Sequence, residues 1–481
     1  MVLSLRDLLA LTSAGILLAL SFVTVYYCRR TRGTFASDAA FLFGTLGRRQ
    51  SLASNTGAVF SVTYFFGATF IYSAVFHGWV RLAVAAGFVL IVPLGLALTK
   101  VLHRAGLLGQ PENGNPLLEL LRQRLNTRHF KDVTGLYQII YFGLLVEELA
   151  VSRLVLHTLI PQPIVVGMLM ITIIFVIYTY LYLGGFRAVL AADTVQMSVL
   201  VAFATVLLYV MLRQQSPAAI LVGRFGGQSS GNALALACGV VFGTSWFLAA
   251  VDFYSRLNFT TARKDVRVYQ QFALTSFLAV FGVLFVGMMF GDFLSTRLSV
   301  RSPSGYTAEA VAFFLAQPLS ISVIFLVAIF AMIFTTIDTL LALNLQVGHY
   351  YSGRVVRKES LLSVVLLATI ISTRMSFDSV SAIGIFIGSL MLLPSLVILR
   401  SAWPRAFRWL PPSPRYLLVA MAIATIVFVA IYNTIELRFD RHFCLTLLVA
   451  SAAATCALGA WIMSSIQRRR LRGEHNTVEG R

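Results

Sequence analysis

The chain has 481 residues, of which 58% are hydrophobic and 12% are charged, and its mean hydropathy is +0.83. This composition excludes a soluble globular protein, because soluble domains carry about 25% charged residues. The net charge of +19 does not indicate nucleic-acid binding, because the basic residues lie in short loops between apolar segments. The composition indicates an all-α integral membrane protein.

Apolar segments long enough to cross a hydrocarbon core of about 30 Å recur along the whole chain. They predict about thirteen transmembrane helices, in chain order 7–28, 52–77, 80–102, 133–158, 163–184, 188–213, 231–253, 269–293, 312–346, 359–375, 379–400, 415–434 and 441–466. No segment remains for a soluble module, so we expect a single transmembrane domain over 1–481. No small-residue cleavage pattern follows the first helix, and we expect it to be retained.

The distribution of Lys and Arg predicts the orientation of these helices. With an external N-terminus, 28 of the 38 basic residues fall on the cytoplasmic side, 9 fall outside, and Arg153 lies within a helix. An excess of basic residues in cytoplasmic loops is the usual pattern of multi-pass proteins. We therefore predict a plasma (inner) membrane protein with its N-terminus outside and its C-terminus in the cytoplasm.

The helices between 52 and 400 divide into two sets of five. Because five is an odd number, the sets at 52–213 and 231–400 enter the membrane from opposite sides, which is the arrangement of an inverted repeat. The leading helix at 7–28 precedes this core, and two C-terminal helices at 415–466 follow it. The sequence therefore predicts a five-plus-five core with one helix before it and two after it.

The first helix of each set carries a glycine near its middle, in SVTYFFGATFIYS and in CGVVFGTSWFLAA. In inverted-repeat membrane proteins these helices are often broken near mid-membrane, where free backbone groups contact ligands. Gly67 and Gly243 are therefore candidate break points, and the alternative is close helix packing through small residues. Both glycines and their neighbours are candidates to line a ligand pocket; the neighbours are Tyr64, Thr69, Thr244, Ser245 and Trp246.

Four stretches of the sequence resemble the sodium:solute symporter family. YTYLYLGGFRAVLAADTVQ at 178–196 resembles the family signature of a Gly pair followed by Ala-Val, an Asp and a Gln. The other three stretches are FLFGTLGRR at 41–49, VDFYSRLNFTTARKDVRVYQ at 251–270 and FTTIDTLL at 334–341. The resemblance implies a LeuT-like fold and uptake of a small solute coupled to sodium. The chain departs from the family at 72–75, where YSAV replaces a frequent Gly-Pro-Gly, so substrate specificity is not carried over.

The resemblance also implies a sodium site. Its ligands would be the hydroxyls of Thr335 and Thr336 and the carbonyls of Met332, Val62 and Phe65. A desolvated Na⁺ is bound by about five oxygen donors, which hydroxyls and unwound backbone can supply within a membrane. The alternative is that each threonine hydroxyl bonds to the carbonyl one turn earlier. Na⁺ is the only metal or cofactor that we expect.

Two acidic residues are candidates for the ion pathway. Asp338 follows Thr335 by three residues and shares roughly its helix face. A carboxylate within a membrane is costly and indicates function, although pairing of Asp338 with a basic residue is the alternative. Asp193, in the 178–196 stretch, resembles a family acid near the sodium exit route, and its alternative role is helix capping.

The tandem acids Glu147 and Glu148 lie within the helix predicted at 133–158, followed by Arg153. Adjacent residues point about 100° apart on a helix, so at most one acid is expected to face a pathway. Glu148 shares its face with Ser152. Three roles stay open for the acids: a charge-neutral pair with Arg153, binding of a cationic substrate group, and carriage of a proton.

The sequence thus predicts a sodium-coupled symporter that imports a small organic solute by alternating access. The alternatives are proton coupling, with Glu147, Glu148 or Asp338 as carrier, and a transporter-like membrane sensor that needs a separate partner. An enzyme is not expected. The sequence GQSSG at 227–231 matches the G-x-S-x-G motif of serine hydrolases, but it lies in a predicted outer loop, where the strand-to-helix turn that the motif needs is absent. The expected partners are a small-molecule solute and the lipid bilayer, with no nucleic acid, and the oligomeric state is not predicted.

Overall fold

The computed structural model describes residues 5–32, 38–44, 48–59, 79–109, 114–214, 233–258, 265–297, 303–353, 360–377, 379–380, 384, 387, 390–407 and 410. Every regular element within these ranges is a helix. The predicted helices at 415–434 and 441–466 lie outside the described residues, as do five candidate site residues: Val62, Tyr64, Phe65, Gly67 and Thr69.

The helices of the described residues follow one another without strands between them. In chain order they are α1 (Leu5–Arg32), α2 (Asp38–Phe43), α3 (Arg48–Val59), α4 (Trp79–Arg104), α5 (Pro116–Arg124), α6 (Thr127–Leu159), α7 (Pro163–Gln214), α8 (Ala233–Leu248), α9 (Val251–Leu257), α10 (Val266–Arg297), α11 (Pro303–Leu315), α12 (Leu319–Ser352), α13 (Ser360–Ser372) and α14 (Leu392–Ala402). The prediction of an all-α protein is therefore confirmed for this part of the chain.

Helix α7 is divided at Gly185. Its 52 residues would measure about 78 Å if the helix were continuous, far more than the thickness of a bilayer. Gly185 has φ 56° and ψ −153°, a conformation that essentially only glycine adopts. A Cβ at this position would also collide with the carbonyl oxygen of Phe41. The division falls between the helices predicted at 163–184 and 188–213.

The outer surface of α7 before this division is apolar. Ile164, Met168, Ile171 and Phe175 recur at helical spacing, and each is 64–69% exposed. Two described helices, Pro163–Arg213 and Leu319–Ser352, are long and apolar enough to cross a membrane. An exposed apolar stripe on such a helix is the surface that lipid would cover.

Helix α12 lies at the centre of the molecule. Residues 328–347 are buried without exception, which at 1.5 Å per residue is about 30 Å of helix. It packs against α7, α6 and α1. Because this buried length carries threonines, Asp338, Asn344 and Gln346, its polar side chains must find partners within the protein.

The break in the helix predicted at 231–253 lies at Ala249–Ala250, where α8 ends and α9 begins, and the prediction of a break at Gly243 is wrong. Helix α8 runs through Gly243, and this glycine packs against Gly87 of α4. A Cβ on Gly87 of α4 would lie only 3.1 Å from the Gly243 Cα. The packing alternative is therefore confirmed at Gly243.

Two tyrosines of α6 satisfy the backbone at this break. The Tyr137 hydroxyl donates to the Ala249 carbonyl at 2.9 Å, and the Val251 amide donates to the Tyr141 hydroxyl at 2.9 Å. Interrupted backbone within a membrane protein requires such partners, because lipid supplies none. The break is thus held by side chains of α6.

Candidate functional site

The predicted ion-site residues on α12 are deeply buried. Thr335 and Asp338 are fully inaccessible, and Thr336 is 1% exposed. Four helices meet beside them and bring together a set of buried side chains that we call the buried polar cluster. Its members are Ser54 of α3, Asp193 of α7, Arg256 of α9, and Thr335 and Thr339 of α12.

Asp193 is the central acceptor of the buried polar cluster. Its Oδ2 accepts from the Ser54 hydroxyl at 2.6 Å and from the Arg256 guanidinium at 3.1 Å, and its Oδ1 accepts from the Thr335 hydroxyl. The partners of Asp193 are therefore side chains of three other helices, and the helix-capping alternative is wrong. Charge-assisted hydrogen bonds are strong in a dry interior, so this carboxylate joins α3, α9 and α12 to α7.

Arg256 supplies the positive charge of the buried polar cluster. Its Nε donates to Ser54 Oγ at 3.1 Å, and the terminal nitrogen that binds Asp193 also donates to Thr339 Oγ1 at 3.1 Å. The other terminal nitrogen lies 3.7 Å from the Asp252 carboxylate. The sequence did not single out Arg256, although it lies in one of the four stretches that carry the family resemblance.

The two adjacent threonines of α12 differ in their bonding. Thr335 donates to Asp193, so the alternative of a bond to its own helix backbone is wrong for this residue. Thr336 donates to the Met332 carbonyl at 2.9 Å, and that alternative is confirmed for it. The structure thereby brings together two of the predicted sodium ligands, the Thr336 hydroxyl and the Met332 carbonyl.

Asp338 has one hydrogen-bonded oxygen. Its Oδ2 accepts from the Tyr180 hydroxyl of α7, whereas its Oδ1 is buried without a hydrogen-bond partner in the described part of the chain. Among those same residues the ion pairs of Arg256 are with Asp193 and Asp252, and none includes Asp338. A second buried carboxylate therefore lies beside the cluster without a paired cation among the described residues, which is a costly arrangement in an apolar interior.

The tandem acids of α6 are not paired with Arg153. The guanidinium of Arg153 instead donates to two backbone carbonyls at the end of α13, at 2.7 and 3.4 Å. The charge-neutral pair that the spacing allowed is therefore wrong within the described residues. The Glu147 carboxylate lies against Gly384. Glu148 is 6% exposed, and its Oε1 has no hydrogen-bond partner among the residues described.

The remaining pocket candidates on α8 contribute to helix packing. Thr244 donates to the carbonyls of Val240 at 2.8 Å and Gly87 at 3.1 Å. The Ser245 carbonyl accepts from the Ser395 hydroxyl of α14 at 2.7 Å. Trp246 is partly buried against the hydrophobic core. These contacts fix α8 between α4 and α14.

A second polar network, which the sequence did not predict, surrounds Asn115. The Asn115 side chain caps α5, and its Nδ2 donates to the Val251 carbonyl at 2.9 Å. The backbone N–H of Asn115 donates to the Tyr350 hydroxyl at 2.8 Å. Tyr350 in turn donates to Glu119 at 3.0 Å. The network joins α5, α9 and the end of α12 beside a cavity of about 710 Å³. An Asn before Pro116 signals a helix start, but not these distant partners.

No protein-family model and no curated protein sequence matches the chain. Its structure is similar to that of a Na⁺-coupled sialic acid symporter in a substrate-bound, outward-open state, with 14% sequence identity, coverage of 94% of this chain and 97% of that chain, and a TM-score of 0.64. It is also similar to a nucleobase-cation-symport-1 family transporter in a closed conformation with bromovinylhydantoin bound, with 15% identity, coverage of 88% and 94%, and a TM-score of 0.50.

These two likenesses show that the chain has the fold shared by these two membrane transporters. They confirm the fold that the sequence resemblance implied. Membership of the sodium:solute symporter family stays a prediction. At 14–15% identity the likenesses show the fold alone, and they leave the function, the substrate and the coupling ion to the chemistry of this chain's own residues.

Proposed function

We propose that the protein is a sodium-coupled secondary transporter that imports a small organic solute by alternating access. One observation carries the proposal: two carboxylates, those of Asp193 and Asp338, lie beside Thr335 in the buried centre of a transporter fold, and Arg256 neutralises one of them. A monovalent cation bound there would balance the other. Because uncompensated charge is costly in this setting, the site favours the uptake of a cation.

The bonding of Thr335 supports sodium ligation. A hydroxyl that donates its hydrogen to Asp193 keeps its oxygen lone pairs for another partner, as Thr335 does. The Met332 carbonyl lies within hydrogen-bond distance of Thr336, so both oxygens are close enough to share one ion. In this proposal Val62 and Phe65 complete the site with their carbonyls, and Asp193 and Asp338 line the route by which the ion leaves.

The finer architecture belongs to the same proposal. It comprises thirteen transmembrane helices, with five-plus-five inverted repeats at 52–213 and 231–400, in the plasma (inner) membrane. The division of α7 at Gly185 supports one of the boundaries that this arrangement needs. The solute and the lipid bilayer are its partners.

Sodium dependence is tested with the purified full-length protein. We expect NaCl to raise the unfolding temperature more than KCl or choline chloride at equal ionic strength, because a ligand stabilises the state that it binds. Reconstituted in liposomes, the protein should accumulate its solute when an inward Na⁺ gradient is imposed. Equal stabilisation by NaCl and KCl, together with uptake that ignores the Na⁺ gradient, would exclude sodium coupling.

Proton coupling is the second candidate, and it is favoured by Asp338 Oδ1, which has no hydrogen-bond partner among the described residues. A neutral carboxylic acid is far cheaper to bury than a carboxylate, so Asp338 could exchange a proton as the site opens to either side. The same liposomes separate the two candidates. A proton-coupled protein would respond to an imposed pH gradient in the absence of Na⁺.

The proposed topology has its own test in a cysteine-free background. With the N-terminus outside, the loop at 105–132 lies in the cytoplasm and the loop at 214–230 lies outside. A membrane-impermeant maleimide added to sealed cells should therefore label the Ser229→Cys variant but not Glu112→Cys. Labelling of Glu112→Cys should appear only after permeabilisation. The reverse pattern would invert the topology.

A further inference from the structure

One face of α6 is directed at the broken helix. Tyr137 and Tyr141 bind the backbone of the α8–α9 break from this face. Glu148 follows these tyrosines by eleven and seven residues, which returns it to within about 20° of the same line at 100° per residue. The face that holds the break therefore carries Glu148 about two turns further along α6.

The depth of Glu148 follows from the packing of α6 against α12. Phe130 lies beside Tyr350, and Gln138 donates to Asn344 at 2.9 Å, so the two helices run antiparallel. Glu148 lies ten residues after Gln138 on α6, a rise of about 15 Å along the helix. On the antiparallel α12, the same rise leads about ten residues back from Asn344. Glu148 is therefore level with Thr335 and Thr336, the proposed sodium ligands.

Two buried acceptors on this face have no hydrogen-bond partner in the part of the chain that the structure describes. Glu148 is 6% exposed and Ser152 is fully buried, one helical turn further along α6. Neither Glu148 Oε1 nor Ser152 Oγ has a hydrogen-bond partner among the described residues. The nearest basic residue in the sequence, Arg153, is bound to the backbone carbonyls of Ser372, at the end of α13, and of Met375, just after it. A ligand that supplies both positive charge and hydrogen-bond donors would satisfy the two acceptors together.

We propose that Glu148 and Ser152 bind a protonated amine of the transported solute. The amine would donate one N–H to Glu148 Oε1 and another to Ser152 Oγ, and its charge would offset that of the Glu148 carboxylate. A quaternary ammonium has the charge but no N–H, and an alcohol has a donor but no charge. Amines and zwitterions with a free amino group thus fit this site better than either. The inference rests on the proposed transport function and names the substrate class.

The test is a thermal-shift titration of the purified full-length protein in NaCl. The probes form matched sets: glycine, γ-aminobutyrate and ethanolamine, then their hydroxyl counterparts glycolate, γ-hydroxybutyrate and ethylene glycol, then glycine betaine and choline. We expect at least one primary amine to stabilise the protein, and its counterparts to do so at least about tenfold more weakly, since they leave a buried acceptor unpaired.

Variants of Glu148 and Ser152 then test whether these residues cause the stabilisation by amines. Glu148→Gln should weaken amine binding by about 30-fold or more, because it removes one partner of a buried charge pair. Glu148→Asp should keep the preference for amines at lower affinity, and Ser152→Ala should cost about fivefold. Glu309→Gln, the same chemical change at an exposed position of α11, serves as the control and should change nothing.

The outcomes separate this inference from the proposed function. Unchanged amine affinity in Glu148→Gln, equal binding of a hydroxyl or trimethyl counterpart, or no response to any amine would each overturn the amine site. A Glu148→Gln variant that keeps amine binding but loses the pH dependence of uptake would overturn it in favour of proton carriage. Na⁺ stabilisation and Na⁺-driven uptake report separately on the transport proposal, and we expect Na⁺ stabilisation to persist in Glu148→Gln.

Discussion

Replacing both Thr335 and Thr336 with alanine is expected to abolish the Na⁺ dependence of stability and uptake. The change removes two hydroxyl oxygens from the proposed site, and a desolvated Na⁺ that loses two of about five donors has no compensating ligand in an apolar interior. The measurements are Na⁺-dependent thermal shift and initial uptake rate as a function of Na⁺ concentration. We expect no saturable Na⁺ response in the double variant.

Two controls accompany this double variant. The Thr335→Ser, Thr336→Ser protein keeps both hydroxyls and should keep Na⁺ dependence. Thr172→Ala removes an exposed hydroxyl that bonds only to the Met168 carbonyl of its own helix at 2.9 Å, and it should behave as the unmodified protein. Unchanged sodium affinity in the alanine double variant would show that Thr335 and Thr336 are not sodium ligands.

Arg256→Gln is expected to destabilise the fold by about 3–5 kcal/mol, the usual cost of removing one partner of a buried ion pair. The change leaves Asp193 negatively charged and fully buried. It also removes the guanidinium that donates hydrogen bonds to the hydroxyl oxygens of Ser54 and Thr339. The expected result is a large fall in unfolding temperature, with loss of the monodisperse fraction in size-exclusion chromatography.

A double-variant cycle identifies the cause of this loss. Adding Asp193→Asn to Arg256→Gln removes the uncompensated charge and should restore part of the stability. Arg374→Gln, at an exposed position after α13, should cost little. If Arg256→Gln is no more harmful than Arg374→Gln, the guanidinium does not neutralise Asp193.

Within the described residues, α1, α4, α6 and α10 lie close to helices that the sequence predicted, because membrane thickness imposes a length that a single chain displays directly. The sequence also marked Gly185, which lies in the GG stretch and takes a backbone conformation closed to other residues. Gly243 shows the limit of such reasoning. The lack of a side chain serves a helix break and close helix packing equally, and only the position of Gly87 on another helix decided between them.

The partners of the site residues were harder to predict, because they are distant in sequence. Asp193 and Arg256 are separated by 63 residues, and Thr335 lies 142 residues beyond Asp193. Spacing along one helix identified Thr335 and Asp338 as polar residues on a common face, but it does not show which helix meets that face. For Arg153 the same limit gave a wrong partner, because helix spacing suggested a neighbouring acid and the structure supplied distant carbonyls.

At the break between α8 and α9, protein side chains make the backbone hydrogen bonds that water would otherwise make. The phenol oxygens of Tyr137 and Tyr141 occupy the places that two water molecules would take at an exposed helix end. Solvent can therefore leave the surroundings of the break without stranding these two backbone groups. If the proposed transport function holds, this broken helix suits an occluded stage, in which the centre of the protein is sealed from both aqueous phases while the interruption keeps its geometry.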